Sequence, residues 1–232
     1  MVKDIVPLLP QGGSMYVEPF VGRGNIGLNV MLYNFEFERF HLNDISTARF
    51  LRNLRDHGDT VRLSRNPRTA YYKHWNEQKS GIYTPEGVLN ETRNCFAAGT
   101  YGDSGPVHLD RIRDAKRYKL DLQRSCELLR SNKVTITAKD WKELYLGNLP
   151  KDAFVFLDPP YFGADVRSYT SEGFDYTAMV KLLEGARFRW MLTEYEQSFY
   201  NKAFGKPIFR KKTVCQLSRD GSERVECIYT NF

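Results

Sequence analysis

Short apolar runs alternate with amphipathic stretches along this chain, and the spacing within each predicts its element. Residues 2–9 read as a short helix, closed by Pro10 and the pair Gly12-Gly13. Met15-Tyr16-Val17 predicts a strand running into Glu18-Pro19-Phe20-Val21-Gly22-Arg23-Gly24-Asn25. Residues 26–33 then predict a helix with Asn25 as its N-cap. Arg39-Phe40-His41-Leu42 predicts a second strand ending at Asn43-Asp44, and residues 48–56 are helical by periodicity. Strand, glycine turn, helix, and a strand with an acidic tip form the βαβ unit of a doubly wound sheet.

Residues 60–110 break this rhythm. They are rich in Arg, Asn, Thr, Gly and Tyr, and residues 99–106 read as a loop or hairpin. A helix over about residues 109–129 restores order. Val134-Thr135-Ile136-Thr137 predicts a β-branched strand, and Ala153-Phe154-Val155-Phe156-Leu157 a fully apolar one, as in a sheet covered on both faces. Residues 188–193 predict another strand. The end of the chain reads as a hairpin, residues 213–217 and 225–230 around Arg219-Asp220-Gly221-Ser222.

Composition narrows the class. The 232 residues are 41% hydrophobic and 14% aromatic, enough to bury a core and unlike a disordered chain. No run of 18 apolar residues occurs, so no membrane span is expected, and the start shows no secretory pattern. Cys95, Cys126, Cys215 and Cys227 are scattered without a CxxC pair, which predicts structural thiols in a reducing cytoplasm and no zinc site. Four dispersed histidines (His41, His57, His74, His108) likewise predict no metal centre. Charge is unevenly spread. Residues 47–133 hold 17 Lys and Arg against 10 Asp and Glu, a surplus of seven, whereas the remainder holds 17 against 18. A basic excess confined to one segment suits a polyanion-binding surface or a solvated helical face. Arg210-Lys211-Lys212 reads as a solvated strand start, with phosphate contact as a second reading, and Tyr71, Tyr72 and Trp75 as core of the middle segment.

Two motifs carry chemistry. Gly22, Gly24 and Gly27 make a GxGxxG turn between strand and helix, where missing side chains let a ligand approach the backbone. Asp44 follows about 20 residues later at a strand tip, where a carboxylate can bind ribose hydroxyls. Together they predict a nucleoside-containing cofactor without naming it. Asp158-Pro159-Pro160-Tyr161 is more specific: two prolines force the chain rigidly out of the sheet. The Asp158 carboxylate and the following carbonyl then stand as free acceptors beside the flat ring of Tyr161. Two acceptors and a stacking platform suit a planar ring bearing an exocyclic amine.

On these residues the chain resembles the Dam-type, alpha-group N(6)-adenine-specific DNA methyltransferases. The likeness rests on Val17-Glu18-Pro19-Phe20-Val21-Gly22-Arg23-Gly24 and Asp158-Pro159-Pro160-Tyr161, in the order cofactor motif, recognition insert, catalytic motif. Leu42-Asn43-Asp44-Ile45, Asp140-Trp141, the segment from Leu89-Asn90 to Phe96, and Glu226-Cys227-Ile228-Tyr229-Thr230-Asn231 match more loosely. The family begins with a segment like Lys-Trp-Ala-Gly-Gly-Lys, whereas this sequence starts at Met1 within what would be the first helix. Its usual Arg-Asn-Gly recognition pattern is only approximated by Arg93, Asn94 and Cys95.

The resemblance implies a Rossmann-like class I methyltransferase core of α/β class, with a mixed seven-stranded sheet and a C-terminal hairpin. Residues 1–59 and 130–232 would form that core, and residues 60–129 a small, mostly helical target-recognition insertion. S-adenosylmethionine would be the cofactor. Phe20, Val21, Gly22 and Gly24 would surround its methionine end, Asp44 and Ile45 its ribose, and Asp140 with Trp141 its adenine. Asp158 and the Pro159 carbonyl would receive the target amine, with Pro160 shaping the turn and Tyr161 stacking on the ring. Arg93, Asn94 and Arg111 would contact double-stranded DNA, whose target base would flip out of the helix. The family also admits a cognate restriction enzyme as partner, and the recognition sequence and oligomeric state stay open. Rival readings are methylation of RNA adenine or DNA cytosine, or a DNA-binding module with a decayed cofactor site.

Overall fold

The computed structural model describes residues 2–33, 35–94, 106, 114–163, 165–166, 169–170, 173–214 and 223–232. The chain divides into two compact units, one formed by residues 1–48 and 133–232, the other by residues 49–132.

The first unit opens with helix α1 (Val2–Ile5), prolonged by a 3₁₀ turn over Val6–Leu8. Strand β1 (Gly12–Gly13) precedes β2 (Tyr16–Glu18), α2 (Gly27–Leu32), β3 (Glu36–Phe37) and β4 (Phe40–Asn43). After the other unit come β5 (Val134–Thr137), 3₁₀ turns at Trp141–Leu144 and Leu146–Asn148, and β6 (Phe154–Leu157). A short pair β7 (Asp165–Val166) and β8 (Tyr169–Thr170) leads to β9 (Arg189–Tyr195), β10 (Phe209–Val214) and β11 (Glu223–Thr230).

Seven of these strands build one sheet in the order β10-β11-β9-β6-β2-β4-β5. The five strands from β9 to β5 are mutually parallel, while β11 runs antiparallel to both of its neighbours. This mixed α/β sheet is the Rossmann-like arrangement. Strand β6 is wholly buried, as its uninterrupted Phe154-Val155-Phe156-Leu157 run requires. From β2 the chain winds outward through β4 and β5, then returns to place β6 on the other side of β2. The carboxyl ends of β2 and β6 therefore flank the point where strand order reverses, where such sheets hold ligands.

Helix α2 departs from expectation at its start. Its cap residue is Ile26 in a helical conformation without side-chain capping, and the Asn25 carbonyl instead accepts from Asn29 Nδ2 at 2.7 Å. The last strand pair extends further than predicted: Phe209 pairs with Ile228, so Arg210, Lys211 and Lys212 lie within the ladder. The turn over residues 219–222 lies outside the described residues. Two helices of this unit escaped the sequence reading, α7 (Tyr176–Glu184) and α8 (Ser198–Phe204), numbered after those of the second unit.

The second unit holds α3 (Ala48–His57) from Arg49 onward, α4 (Pro67–Lys79), α5 (Pro85–Asn94) and α6 (Ala115–Leu129). Where the sequence shows only a break in rhythm, Asn66 caps α4 by accepting from Thr69 N at 3.1 Å, with Pro67 at the first helical position. Tyr71 is buried here with Trp75 packed on it, whereas Tyr72 is exposed. Cys126 and Cys227 are buried free thiols; Cys95 and Cys215 lie outside the described residues. Among the described residues no helix is long and apolar enough to cross a membrane.

Candidate active site

The glycine turn after β2 is held from below. Gly22 and Gly24 have φ of +53° and +82°, a backbone region where glycine is favoured because it lacks a Cβ. No heavy atom lies within 4 Å of the Cβ position Gly22 lacks, so that face of the turn is open. Gly27 differs: a Cβ there would sit 2.6 Å from Glu18 Oε2 and 3.0 Å from Leu42 Cδ2. The third glycine thus serves the close packing of α2 on the sheet.

Asp44, at the tip of β4, secures this turn. Its Oδ2 accepts from Gly22 N at 3.0 Å, and its Oδ1 from Ser46 N and Thr47 N at 2.8 Å each. A carboxylate offers roughly four acceptor positions, so capacity remains for one further donor. Asn43, 1% exposed, is a residue to which the sequence reading assigned no role. Its amide donates to the carbonyls of Pro19 and Lys139 at 2.9 and 3.0 Å, and its oxygen accepts from Thr137 Oγ1 and Lys139 N. One side chain thereby ties together the loops after β2, β4 and β5. Only the local pairing of a buried Asn with an acidic tip could have hinted at this.

Three rings flank the turn. Phe20 lies 5.5 Å from Phe174 and 6.4 Å from Trp141 between centroids, and Trp141 stacks on Phe174 at 5.9 Å. Asp140 caps the 3₁₀ turn that carries Trp141, accepting from Lys142 N at 2.9 Å. Val21 is buried and its amide donates to the Asn43 carbonyl, whereas Ile45 is 67% exposed. The structure so gathers Phe20, Val21, Gly22, Gly24, Asp44, Asp140 and Trp141 along the carboxyl edge of β2, β4 and β5.

Asp158 leaves the adjoining edge at the end of β6. The Thr193 hydroxyl donates to Asp158 Oδ1 at 2.6 Å, and Tyr161 supplies a second hydrogen bond. Burial nevertheless pushes the Asp158 carboxyl above its ordinary value, against the lowering effect of those two donors. The Tyr161 ring meets the Tyr195 ring edge-on at 4.8 Å. Its hydroxyl therefore belongs to the carboxylate's surroundings, a role the sequence reading of a bare stacking platform missed. Tyr176, the first residue of α7, donates to the Pro160 carbonyl at 2.8 Å. Behind them lie two further buried acids, Glu18 and Glu194, both raised chiefly by burial and further by the charge of Asp158. Glu18 accepts from Tyr16 Oη at 2.9 Å.

The second unit corrects one expectation. Arg93 is only 6% exposed, and its Nη1 donates to the Ser64 carbonyl at 2.5 Å. The side chain is thus turned inward, and that burial lowers its guanidinium. Residue 94 ends α5. Arg111 lies outside the described residues, and nothing is described of the Asn94 side chain. In the first unit Arg210, Lys211 and Lys212 each lie by an acid, Glu196, Asp4 and Glu223 respectively.

Solved structures similar to this chain include a conserved hypothetical protein from Streptococcus pyogenes, with TM-score 0.42, 11% identity, and coverage of 100% of this chain and 96% of that one. An rRNA methyltransferase from Streptomyces viridochromogenes gives TM-score 0.41 and 13% identity, covering 98% and 81%. A Streptococcus mutans protein described as a methyltransferase, in complex with SAH, gives 0.42 and 8%, covering 98% and 94%. Among curated proteins none matches the chain. Residues 107–206 match the family model of D12 class N6 adenine-specific DNA methyltransferases. That match spans the segment that carries Asp158-Pro159-Pro160-Tyr161, and over it the chain is similar to the D12 class N6 adenine-specific DNA methyltransferases.

Proposed function

We propose that this protein transfers a methyl group from S-adenosylmethionine to the N6 amine of adenine in duplex DNA, with the base flipped into the Asp158-Pro159-Pro160-Tyr161 pocket. The observation that carries the reading is the placement of Asp158. It is fixed by Thr193 at the end of β6, beside the open glycine turn of the neighbouring strand β2.

The residues fit the cofactor. The unfilled space over Gly22 admits a ligand against the backbone, and Asp44 keeps capacity for one hydroxyl donor. Phe20, Val21, Gly22 and Gly24 would hold the methionine end, Asp44 and Ile45 the ribose, and Asp140 with Trp141 the adenine. When bound, S-adenosylmethionine supplies an electrophilic methyl on a sulfonium.

The protein's own residues supply the rest. An aniline-like amine is a weak nucleophile because its lone pair is conjugated into the ring. Asp158 and the Pro159 carbonyl would accept hydrogen bonds from its two N–H groups, favouring a pyramidal nitrogen whose lone pair faces the methyl. As the N–C bond replaces the S–C bond, the surplus proton on nitrogen would leave through the Asp158 carboxylate. Thr193 and Tyr161 keep the carboxylate aimed. Flipping costs a few kcal/mol, which stacking on Tyr161 would offset. The arginine-rich unit of residues 49–132 would grip the phosphates, with Arg62, Arg65 and Arg68 exposed around the start of α4.

Labelled S-adenosylmethionine with duplex DNA, followed by nucleoside analysis, tests the reading. N6-methyladenine in DNA is the expected product. Label in cytosine or only in RNA would replace the substrate, and no cofactor binding would overturn the enzyme.

A further inference from the structure

Glu194 sits near the end of β9 with 0% of its surface exposed, yet the chemistry above asks nothing of it. Its surroundings are donors. The Phe162 amide lies 3.0 Å from both Oε1 and Oε2, the Tyr195 amide 2.7 Å from Oε1, and the Tyr200 hydroxyl 3.1 Å from Oε2. Phe162 directly follows Asp158-Pro159-Pro160-Tyr161. Because both prolines lack an N–H, the first backbone donors after Asp158 are the amides of Tyr161 and Phe162, and Glu194 holds the second with two oxygens.

We propose that Glu194 is a positioning residue: its ionised carboxylate clamps the turn after Asp158 and so sets how Asp158 and the Pro159 carbonyl meet the target amine. This rests on the methyl-transfer reading above. The geometry distinguishes the two protonation states. Neither amide can accept a proton, so among its three hydrogen-bonded partners a protonated Glu194 can donate only to the Tyr200 hydroxyl, which must then turn to accept. Oε2 is then withdrawn from Phe162, and the turn loses one of its two holds.

The groups around Glu194 agree with this sensitivity. Asp158 faces it from the turn after β6, Tyr200 from α8, and Thr193 and Tyr195 neighbour it on β9. Cys227 is its register partner on β11. Among the described residues no cation is hydrogen-bonded to it. Burial, opposed by the three donors and reinforced by Asp158, pushes Glu194 up to about 8. The clamp therefore closes as pH rises through that value.

Two readouts decide the matter, one independent of activity. In protein labelled with [¹⁵N]phenylalanine, the Phe162 amide resonance, assigned by its loss in Phe162→Leu, should titrate with a midpoint near 8. Glu194→Gln should abolish that titration. In methyl transfer, wild-type turnover should climb about tenfold between pH 6.5 and 8.5. Glu194→Gln should lose most of that climb while cofactor KM stays within about twofold. A Phe162 amide that ignores pH, or a Glu194→Gln profile that overlays the wild type, would overturn the clamp. The wild-type titration needs no variant to fold. Absence of methyl transfer would instead sink the functional reading, and the amide titration would still decide whether Glu194 holds the turn.

Discussion

The Thr193 hydroxyl lies 2.6 Å from Asp158 Oδ1, joining a buried strand to the acid that directly follows its parallel neighbour. The hydrogen bond spans two strands that register holds rigidly, so the carboxylate's direction is set by the sheet rather than by the loop. Thr193→Val keeps the shape and removes the donor. Turnover is expected to fall about 10- to 100-fold, the worth of a hydrogen bond to a charged group. Cofactor affinity should stay within twofold, measured by labelled methyl transfer beside equilibrium binding.

Asp158 and Asp44 should fail in opposite ways. Asp158→Ala is expected to abolish methyl transfer with cofactor binding largely intact. Asp44→Ala removes the acceptor for Gly22, Ser46 and Thr47 amides as well as any hydroxyl, so cofactor affinity should weaken tenfold or more. Calorimetric titration of the two variants tests this; an active Asp158→Ala protein would refute the catalytic assignment.

DNA affinity should fall steeply with salt. With Arg93 turned inward, the exposed Arg65 and Arg68 are the arginines to remove. Replacing one phosphate-binding arginine should reduce the slope of log affinity against log salt by about one. Arg93→Met should instead lower the melting temperature and leave the slope unchanged.

Stability should decline toward alkaline pH. An ordinary glutamate titrates near 4.5, and Glu194 is pushed up to about 8, so the folded protein keeps a proton that the unfolded chain has released. The stability this group contributes is whole below pH 4.5 and is lost as pH rises through 8. The loss is roughly 4–5 kcal/mol. Glu18, raised by burial, acts in the same direction. Urea midpoints at pH 5 and 8.5 should differ in the wild type and differ less in Glu194→Gln, the remainder belonging to Glu18 and the other raised acids.

The sheet was legible in the sequence because its strands declare themselves. The run 154–157 is apolar at every position, and the Gly22–Gly27 turn with Asp44 fixes the order of what surrounds it. Helices α7 and α8 were not legible: α7 is announced by Asp175 capping Ala178 N, but the aromatic residues before it blur the apolar period. Within the site, the motif residues were visible, whereas Asn43, Thr193, Tyr176 and Glu194 were not. Their roles arise from partners as far apart as 96 positions, and local spacing carries no trace of such pairings. Arg93 misled for the same reason, since its carbonyl partner Ser64 lies 29 positions away.

The charged run Arg210-Lys211-Lys212 occupies β10, the outermost strand on its side of the sheet. An unpaired strand edge is a template for sheet extension by another chain, and lysines on it are a common defence against aggregation. Here the charges lie by Glu196, Asp4 and Glu223 along the ladder. A charged border of this kind disfavours pairing with a second copy's strand, so the sheet's growth is limited at β10 by side chains rather than by a covering element.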